Sequence, residues 1–513
     1  MFCTIRYLEA GDWLVIAAYL SGIVALGVWF GKDQRSTRDY FLGSKSMPWW
    51  GIGLSIVAAE TSALTIIGVP ALAYSSDLAF LQMTIGYMLA RGILAVVMVP
   101  HYLKGEIYSP YQLFADRLGA PAQQAAGGLF LISETLAAGV RVYVVSIPIQ
   151  LMLGISVGPA IVLFVALSLV YTYVGGVKAV IWTDVAQFGL FLLGGLYALA
   201  YIPTLMDGGS GAVFGQAAKA GKLHWLNLQF ALHEPFNLWM GFIGGTVMGL
   251  STHGAEQLIV QRVLACRTVA DGRKALALSA VMIFPLFLVF LLVGMMLWVF
   301  YQSHPFQIPL PETRPGIKAN DFVFPIFMLT EVPHVLKGFL IVAILSAAMS
   351  SVSSALTALA SVSTMDFVRG RHGRRSEEFY LRFSKGSTVF WGAMLMLTAY
   401  LSREVVFVLN AAFTLRGLTS GALLGGLLLA VFWKRGRATP VIFAMLASLG
   451  CMIAVSQVSW TASAGATGAR HRVFWPWYTL IGTVVTLGVA GLVHRLGKPF
   501  TGTVADATPP PRR

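Results

Sequence analysis

Apolar runs of about 20 residues recur along almost the whole chain, and they constrain its fold more than any other feature. A helix of about 20 apolar residues crosses a bilayer core, and only helices and closed barrels satisfy every backbone polar group there. Charged residues make up 11% of the 513 residues, against about 25% in soluble domains. These features predict an all-α polytopic membrane protein and exclude a cytosolic enzyme. About 13 transmembrane helices are predicted, at 11–30, 48–74, 78–103, 121–153, 157–175, 184–203, 236–260, 276–302, 336–362, 386–402, 404–433, 438–460 and 473–494.

The net charge of +14 does not indicate a nucleic-acid partner, because the cations lie in short loops between the apolar runs. With the N-terminus outside, the inner loops and the C-terminal tail hold 24 Lys and Arg residues and the outer side holds 9. Cytoplasmic loops are generally enriched in these residues. The pattern predicts a multi-pass protein of the plasma (inner) membrane, in contact with the lipid bilayer, with its N-terminus outside and its C-terminus in the cytoplasm.

Two of the spans are interrupted by polar residues and helix breakers. The second contains AAETSA at 58–63 and then GVP at 68–70, and the seventh contains GLSTHGAEQ at 249–257. Non-helical backbone persists at membrane depth only where protein or a water-filled cavity satisfies it. Two such spans, five apart, are typical of an inverted repeat of five plus five helices with a substrate site between them. Ordinary kinked helices with small interfacial residues are the alternative.

Six charged residues lie within the predicted spans, and each would be costly if it faced lipid. They therefore face a cavity or pair with one another inside the bundle. Glu134 and Arg141 share one helical face, but about 10 Å of helical rise separates their backbones. We therefore do not expect a direct contact between these two. The six are Glu60, Arg91, Glu134, Arg141, Asp184 and Arg416.

The ninth span carries a row of hydroxyl side chains. Ala347, Ser350, Ser351 and Ser354 are spaced i, i+3, i+4, i+7, which places them on one helical face. Hydroxyls and free backbone carbonyls are the oxygen ligands that a hard cation such as Na⁺ prefers. Close helix packing through small residues is the alternative, and the spacing alone slightly favours it.

Four further motifs occur in order along the chain, and with the broken spans they resemble the sodium:solute symporter family (sodium/glucose–proline–pantothenate cotransporter type). That resemblance covers nearly the whole chain and implies broken helices at the first and sixth core positions. It also implies an extracellular N-terminus and peripheral first span (1–30), two five-span repeats (48–203 and 236–433), two peripheral spans (438–494) and a disordered cytoplasmic tail (495–513). The motifs are DYFLG at 39–43 with MPWW at 47–50, YTYVGGVKAVIWTD at 171–184, QRVLA at 261–265, and the serine-rich span ending in STMD at 363–366.

The resemblance implies one or two sodium sites and no organic cofactor. The main site would use backbone oxygens of Ala58, Thr61 and Ala347 together with the hydroxyls of Ser350 and Ser351. A second site, found in some members, would use Asp184, Ser350, Ser353 and Ser354.

The resemblance also implies a substrate pocket, at Glu60, Ser62, Thr65, Gln82, Arg141 and His253. Sugar-transporting relatives carry other residues at Glu60, Thr65 and Gln82, so a hexose is not expected. The predicted function is sodium-coupled import of a small polar organic solute by alternating access. Either Arg141 binds a carboxylate of that solute, or Glu60 or Glu134 holds Arg141 permanently and the solute is neutral.

Other classes of function are less consistent with the sequence. The HExxH and GxSxG motifs of membrane hydrolases and the nucleotide-binding GxxxxGK[ST] loop do not occur, so the chain is predicted not to be an enzyme or a nucleotide-driven pump. A transporter-like membrane sensor without net transport stays an alternative. So does a proton-coupled transporter of the same fold, because Glu60 lies in the broken helix.

Overall fold

The computed structural model describes residues 7–31, 34–61, 64–233, 236–314, 317–369, 375–404, 408–434, 436–461 and 470–496. Helices dominate this part of the chain, and strands are confined to two ribbons of two short antiparallel strands each, β1 with β2 and β3 with β4. The strands are β1 Glu312–Arg314, β2 Ile317–Lys318, β3 Trp460–Thr461 and β4 Arg470–His471.

Nineteen α-helices occur within the described residues, joined in places by single turns of tighter or wider helix. The α-helices are α1 Ala10–Gly31, α2 Thr37–Leu42, α3 Trp49–Glu60, α4 Val69–Ser75, α5 Leu81–Val97, α6 Val99–Leu103, α7 Gln112–Leu118, α8 Ala120–Leu153, α9 Val157–Tyr201, α10 Gly209–Lys219, α11 Thr246–Gly254, α12 Gln257–Leu264, α13 Val269–Ser303, α14 Val323–Thr330, α15 Leu336–Val362, α16 Glu377–Leu401, α17 Val408–Phe432, α18 Ala438–Gln457 and α19 Tyr478–Leu496. Wider π-helical turns occupy Leu64–Gly68, Met240–Gly245 and Ser363–Val368. Tighter 3₁₀ turns occupy Gly43–Lys45, Ile202–Leu205, Asn320–Phe322, Ser402–Glu404 and Trp475–Trp477.

Eight of the described helical segments are long and apolar enough to cross a membrane. A ninth span results if the pair Trp49–Glu60 and Thr65–Ser75, which meet at 59°, is counted as one broken span. The count of 13 stays a prediction. Some predicted spans fall short of this length because they are divided, as at α5 (17 residues) and α11 (9 residues).

One predicted loop is wrong. The fifth and sixth predicted spans, 157–175 and 184–203, both lie in α9, which consists of two helices that meet at a kink at Gly176 with no loop between them. Gly176 has φ 55° and ψ −160°, a conformation open to glycine alone. A Cβ at this position would lie 2.6 Å from the carbonyl oxygen of Tyr40. One glycine therefore supplies the turn for which the sequence predicted an eight-residue loop.

Both interrupted spans are broken in the structure. In the first, α3 ends at Glu60, Thr61 is extended with ψ 91°, and the helix resumes at α4 after the π-helical turn. In the second, α11 ends at Gly254 and α12 begins after Glu256, which is extended with φ −96° and ψ 127°. Each break frees carbonyl and amide groups that a continuous helix would have consumed.

Helix α15 lies at the centre of the bundle and packs against α1, α8, α9 and α16. Almost all of its residues from Lys337 to Val362 are buried, including every serine and threonine. A helix that is covered on all sides is a core element rather than a lipid-facing one. Its hydroxyl groups therefore face protein and not the bilayer.

Glycines allow α5 to pack directly on the backbone that precedes α11. A Cβ on Gly86 would lie 2.2 Å from the carbonyl oxygen of Gly241 and 2.5 Å from the amide nitrogen of Thr246. The contact is reciprocal, because a Cβ on Gly241 would lie 2.3 Å from the carbonyl oxygen of Gln82. This backbone-to-backbone contact fixes the start of the second broken span against α5.

The DYFLG motif at 39–43 forms the last four residues of the short helix α2 and its C-terminal cap. Ser36 and Asp39 make a capping box at the N-terminus, and Gly43 closes the C-terminus in the left-handed conformation with φ 54°. Burial opposes ionisation of Asp39, but hydrogen bonds from the hydroxyls of Ser44 and Ser36 and from backbone amides outweigh it and lower the pKa of this carboxyl. The motif is thus a local folding signal.

Candidate functional site

Three polar side chains meet where the first broken span faces the second, and we call them the helix-break triad: Glu60, Arg91 and His253. Glu60 ends α3, Arg91 lies in α5 and His253 lies in α11. Arg91 forms an ion pair with Glu60, and His253 Nε2 lies 3.4 Å from the same carboxylate oxygen. The side chains of Arg91 and His253 are fully buried, whereas that of Glu60 is 15% exposed. Glu60 and His253, predicted separately as pocket residues, are therefore brought together.

Arg91 is only partly satisfied within the triad. One terminal nitrogen of its guanidinium bonds Glu60, whereas Nε and Nη1 are buried and have no hydrogen-bond partner among the described residues. Buried donors of a charged group are normally all paired, since an unpaired one keeps its full desolvation cost. The free donors of Arg91 are therefore suited to an acceptor that arrives from outside the chain.

A second group, which we call the ion network, comprises Glu134 and Arg141 in α8, Glu256 between α11 and α12, and Arg416 in α17. Arg141 forms an ion pair with Glu134, and Arg416 forms one with Glu256. Arg416 also lies 3.5 Å from Glu134, which links the two pairs. Removing one partner of such a buried pair is costly, because the other charge is left uncompensated.

The expectation that Glu134 and Arg141 do not touch is wrong. Side chains on a helix lean toward its N-terminus, so Arg141 extends back along α8 to Glu134, and its Nε also donates to the carbonyl of Ala137 at 3.3 Å. Of the two alternatives for Arg141, the structure contains the internal pair with Glu134. Arg141 is thus paired within α8, whereas Arg91 keeps two unpaired donors among the described residues.

The hydroxyls of α15 form what we call the serine row: Ser350, Ser351, Ser353 and Ser354. Ser351 Oγ donates to the carbonyl of Ala347 at 3.1 Å, and Ser353 and Ser354 donate to the carbonyl of Ser350 at 3.0 and 2.5 Å. Each hydroxyl oxygen keeps lone pairs that can accept a cation. Helix α15 also packs against α3, so the row lies beside the first broken span.

Asp184 in α9 joins the serine row to a buried arginine. Its carboxylate accepts from Ser350 and Ser55, each at 2.5 Å, and from Arg262 in α12 at 2.8 Å. Arg262 also donates to Ser55 at 2.8 Å, to the carbonyl of Leu258 at 2.6 Å and to Ser354. Three of the four residues predicted for the second sodium site therefore surround or contact this ion pair.

The remaining predicted pocket residues are placed differently. Gln82 is fully buried, and its amide is used by backbone groups: it donates to the carbonyls of Ala79 and Phe236 and accepts from the amide of Asn227. Thr65 is buried in the π-helical turn that follows the first break. Ser62 lies outside the described residues.

Sequence reasoning missed two charged residues of these clusters, Glu256 and Arg262, as candidates for the site. Glu256 belongs to the polar run of the second broken span, and Arg262 was counted among the cations of an inner loop. The structure places Arg262 in the buried helix α12, with 3% of its side chain exposed. The available signal was the polar run and the QRVLA motif, which place Glu256 and Arg262 six residues apart in sequence.

Comparisons with known proteins agree with this architecture. A family model described as the sodium:solute symporter family matches residues 40–448. The sodium/sialic acid symporter SiaT of Proteus mirabilis is 30% identical over 461 residues, covering 86% of this chain and 89% of that protein. The human sodium/iodide cotransporter is 29% identical over 454 residues (87% of this chain, 69% of that protein). The human sodium-coupled monocarboxylate transporter 1 is 26% identical over 419 residues (81% and 68%).

Solved structures give the same result. A substrate-bound, outward-open Na⁺-coupled sialic acid symporter, described as having a novel Na⁺ site, superimposes with a TM-score of 0.83 and 25% identity, covering 96% of this chain and 99% of that one. A nucleobase-cation-symport-1 transporter, with 13% identity and a TM-score of 0.55, shares the fold alone. This chain, a multi-pass membrane transporter and not an enzyme, therefore belongs to the sodium:solute symporter family.

Proposed function

We propose that this sodium-coupled symporter imports a small polar organic solute that carries a carboxylate, by alternating access between two inverted repeats at 48–203 and 236–433. The N-terminus would lie outside and the C-terminus in the cytoplasm. Two observations support the proposed mechanism: the two broken spans face each other at the helix-break triad, and the buried serine row lies beside the first of them.

The main sodium site would be built from carbonyls of Ala58, Thr61 and Ala347 and from the hydroxyls of Ser350 and Ser351. The residues present fit a cation. Thr61 Oγ1 is buried at the helix break without a hydrogen-bond partner among the described residues. Carbonyls at the end of α3 lie in the last turn, where no further helix consumes them. Oxygen ligands of this kind suit Na⁺ and supply no counter-charge.

The second sodium site, at Asp184, Ser350, Ser353 and Ser354, fits less well. Its only carboxylate is already paired with Arg262, which also reaches Ser354. A cation added there would share one carboxylate with a guanidinium in a buried space, which is unfavourable.

The single observation that supports an anionic substrate is that two buried guanidinium nitrogens of Arg91, Nε and Nη1, are unpaired among the described residues. Sialic acid, monocarboxylates and iodide, named for the relatives, are all anions at neutral pH. Glu60 occupies Nη2, the nitrogen that both two-donor edges of the guanidinium share, so Nε and Nη1 point to different sides and each can donate one charge-assisted hydrogen bond to an anion. Arg141, the contact predicted from sequence, would first have to release Glu134.

Uptake into proteoliposomes tests the coupling ion. The probes are radiolabelled N-acetylneuraminate, a short monocarboxylate and iodide, each with an inward Na⁺ gradient and with Na⁺ replaced by choline at constant pH. We expect uptake of at least one carboxylate to require Na⁺. Uptake that ignores Na⁺ and follows an imposed pH gradient would instead favour the proton-coupled alternative.

Two matched Arg→Lys variants then identify the residue that binds the carboxylate. Each variant keeps its positive charge, so its acidic partner stays compensated, but a compact ammonium cannot donate from the separate positions of the guanidinium nitrogens. We expect Arg91→Lys to weaken the apparent affinity about tenfold or more, equivalent to about 1.4 kcal/mol, and Arg141→Lys to change it about twofold at most. The opposite result would assign the carboxylate to Arg141.

A further inference from the structure

The ion pair of Asp184 with Arg262 occupies the position where the resemblance implies a second sodium ion. Both carboxylate oxygens of Asp184 are used, Oδ1 by Ser350 and Oδ2 by Ser55 and Arg262. All three guanidinium nitrogens of Arg262 are also used, by Ser55, Leu258, Asp184 and Ser354. Every polar atom of the pair therefore has at least one polar contact within the chain.

Because the ion pair is buried, the addition of a sodium ion to it is unfavourable. The side chain of Asp184 is completely buried and that of Arg262 is 3% exposed. One negative charge faces one positive charge, and the remaining contacts are neutral hydroxyls and a carbonyl. A buried ion is tolerated when it is paired and hydrogen-bonded, so the site is neutral without sodium and would carry an uncompensated charge with it.

We propose that Arg262 is a built-in cation that replaces the second sodium ion, so that the chain binds one Na⁺, at the main site. This inference rests on the proposed main sodium site. The guanidinium contacts Ser55 in α3, Asp184 in α9 and Ser354 in α15, and so ties together three helices that a bound ion would otherwise bridge. Ser350 donates to Asp184 while its oxygen stays available to the main site.

The number of sodium ions bound per chain tests this directly, with no need to know the solute. The probe is ²²Na⁺ binding to the purified full-length protein. We expect about one Na⁺ per chain in the wild type, about two in Arg262→Gln, and about one again in the double variant Arg262→Gln/Asp184→Asn, which lacks the carboxylate. Arg267→Gln is the matched control, because Arg267 is exposed and donates only to carbonyls of Lys45 and Ser46 among the described residues; it should bind one.

Two results would overturn the inference: two ions in the wild type, or one ion in a folded Arg262→Gln variant. If Arg262→Gln does not fold, the number of Na⁺ ions bound by the wild type still tests the inference. Arg262→Lys keeps the positive charge and should therefore bind one Na⁺. A wild type that binds no Na⁺ would instead refute the proposed main site, so the two failures are distinguishable. Ser351→Ala removes a ligand of the main site only. In an otherwise wild-type chain it should lower the affinity for the single Na⁺.

Discussion

The glycine contact between α5 and the backbone before α11 gives a sharp test of the packing. Replacing glycine by alanine inside a helix ordinarily stabilises the helix by about 1 kcal/mol. At Gly86 the new methyl group would lie 2.2 Å from the carbonyl oxygen of Gly241 and 2.5 Å from the amide nitrogen of Thr246. Ordinary contacts begin at 3.4 Å, so two backbones would have to separate by about 1 Å, and overpacking of this kind typically costs about 1–3 kcal/mol.

Gly92 is the matched control, because it lies in the same helix and a Cβ there meets nothing within 4 Å. We expect Gly92→Ala to unfold with a free energy equal to that of the wild type or up to about 1 kcal/mol higher. We expect Gly86→Ala to lose about 1–3 kcal/mol in spite of its better helix propensity. Denaturation with sodium dodecyl sulfate in mixed micelles, followed by tryptophan fluorescence, measures both. Equal stability of the two variants would show that α5 and the second broken span do not pack as described.

Four further changes test the site and the fold. Ser351→Ala should raise the Na⁺ concentration for half-maximal uptake, whereas Ser361→Ala, ten residues along the same helix, should not; sodium titrations of both compare them. Asp184→Asn should cost about 3–5 kcal/mol, because it leaves Arg262 buried without its counter-charge, and a folded yield equal to that of the wild type would contradict this. The methyl ester of a transported carboxylate should fail to compete with the acid, and equal competition would indicate a neutral substrate. Asp39→Asn should lower the thermal stability of the protein at pH 7, and its difference from the wild type should shrink below pH 3.8, as the wild-type carboxyl protonates at its lowered pKa; thermal scans across this range check the trend.

Polar residues inside apolar runs were strong signals for the fold. The interruptions at 58–63 and 249–257 and the hydroxyls of the ninth span are unusual at membrane depth, and the structure places breaks and a buried helix there. Hydrophobicity alone could not show that Gly176 replaces a loop. A single residue in a left-handed conformation leaves no trace in a hydropathy pattern.

Partners of the buried charges were much harder to predict. Asp184 and Arg262 are 78 residues apart in sequence, and Arg416 and Glu256 are 160 apart. Periodicity shows which face of a helix a residue occupies, but the partner lies on another helix, whose orientation is set by packing of the whole bundle. Arg141 shows the opposite case, because its partner lies on the same helix. The prediction considered only the rise between the two backbones and left out the length of the arginine side chain, which makes the contact.

The four buried ion pairs described above also bear on the electrical behaviour of the transporter. Arg91, Arg141, Arg262 and Arg416 are matched by Glu60, Glu134, Asp184 and Glu256. Moving one unpaired elementary charge through 100 mV is worth about 2.3 kcal/mol, but a matched pair that moves together transfers no net charge through the field. The helices that carry these pairs can therefore rearrange without a voltage-dependent contribution from the paired charges. One Na⁺ and one monovalent carboxylate that move together also carry no net charge, so the proposed cycle is electroneutral. A transport current would therefore indicate a second Na⁺ or an uncharged solute rather than movement of these arginines.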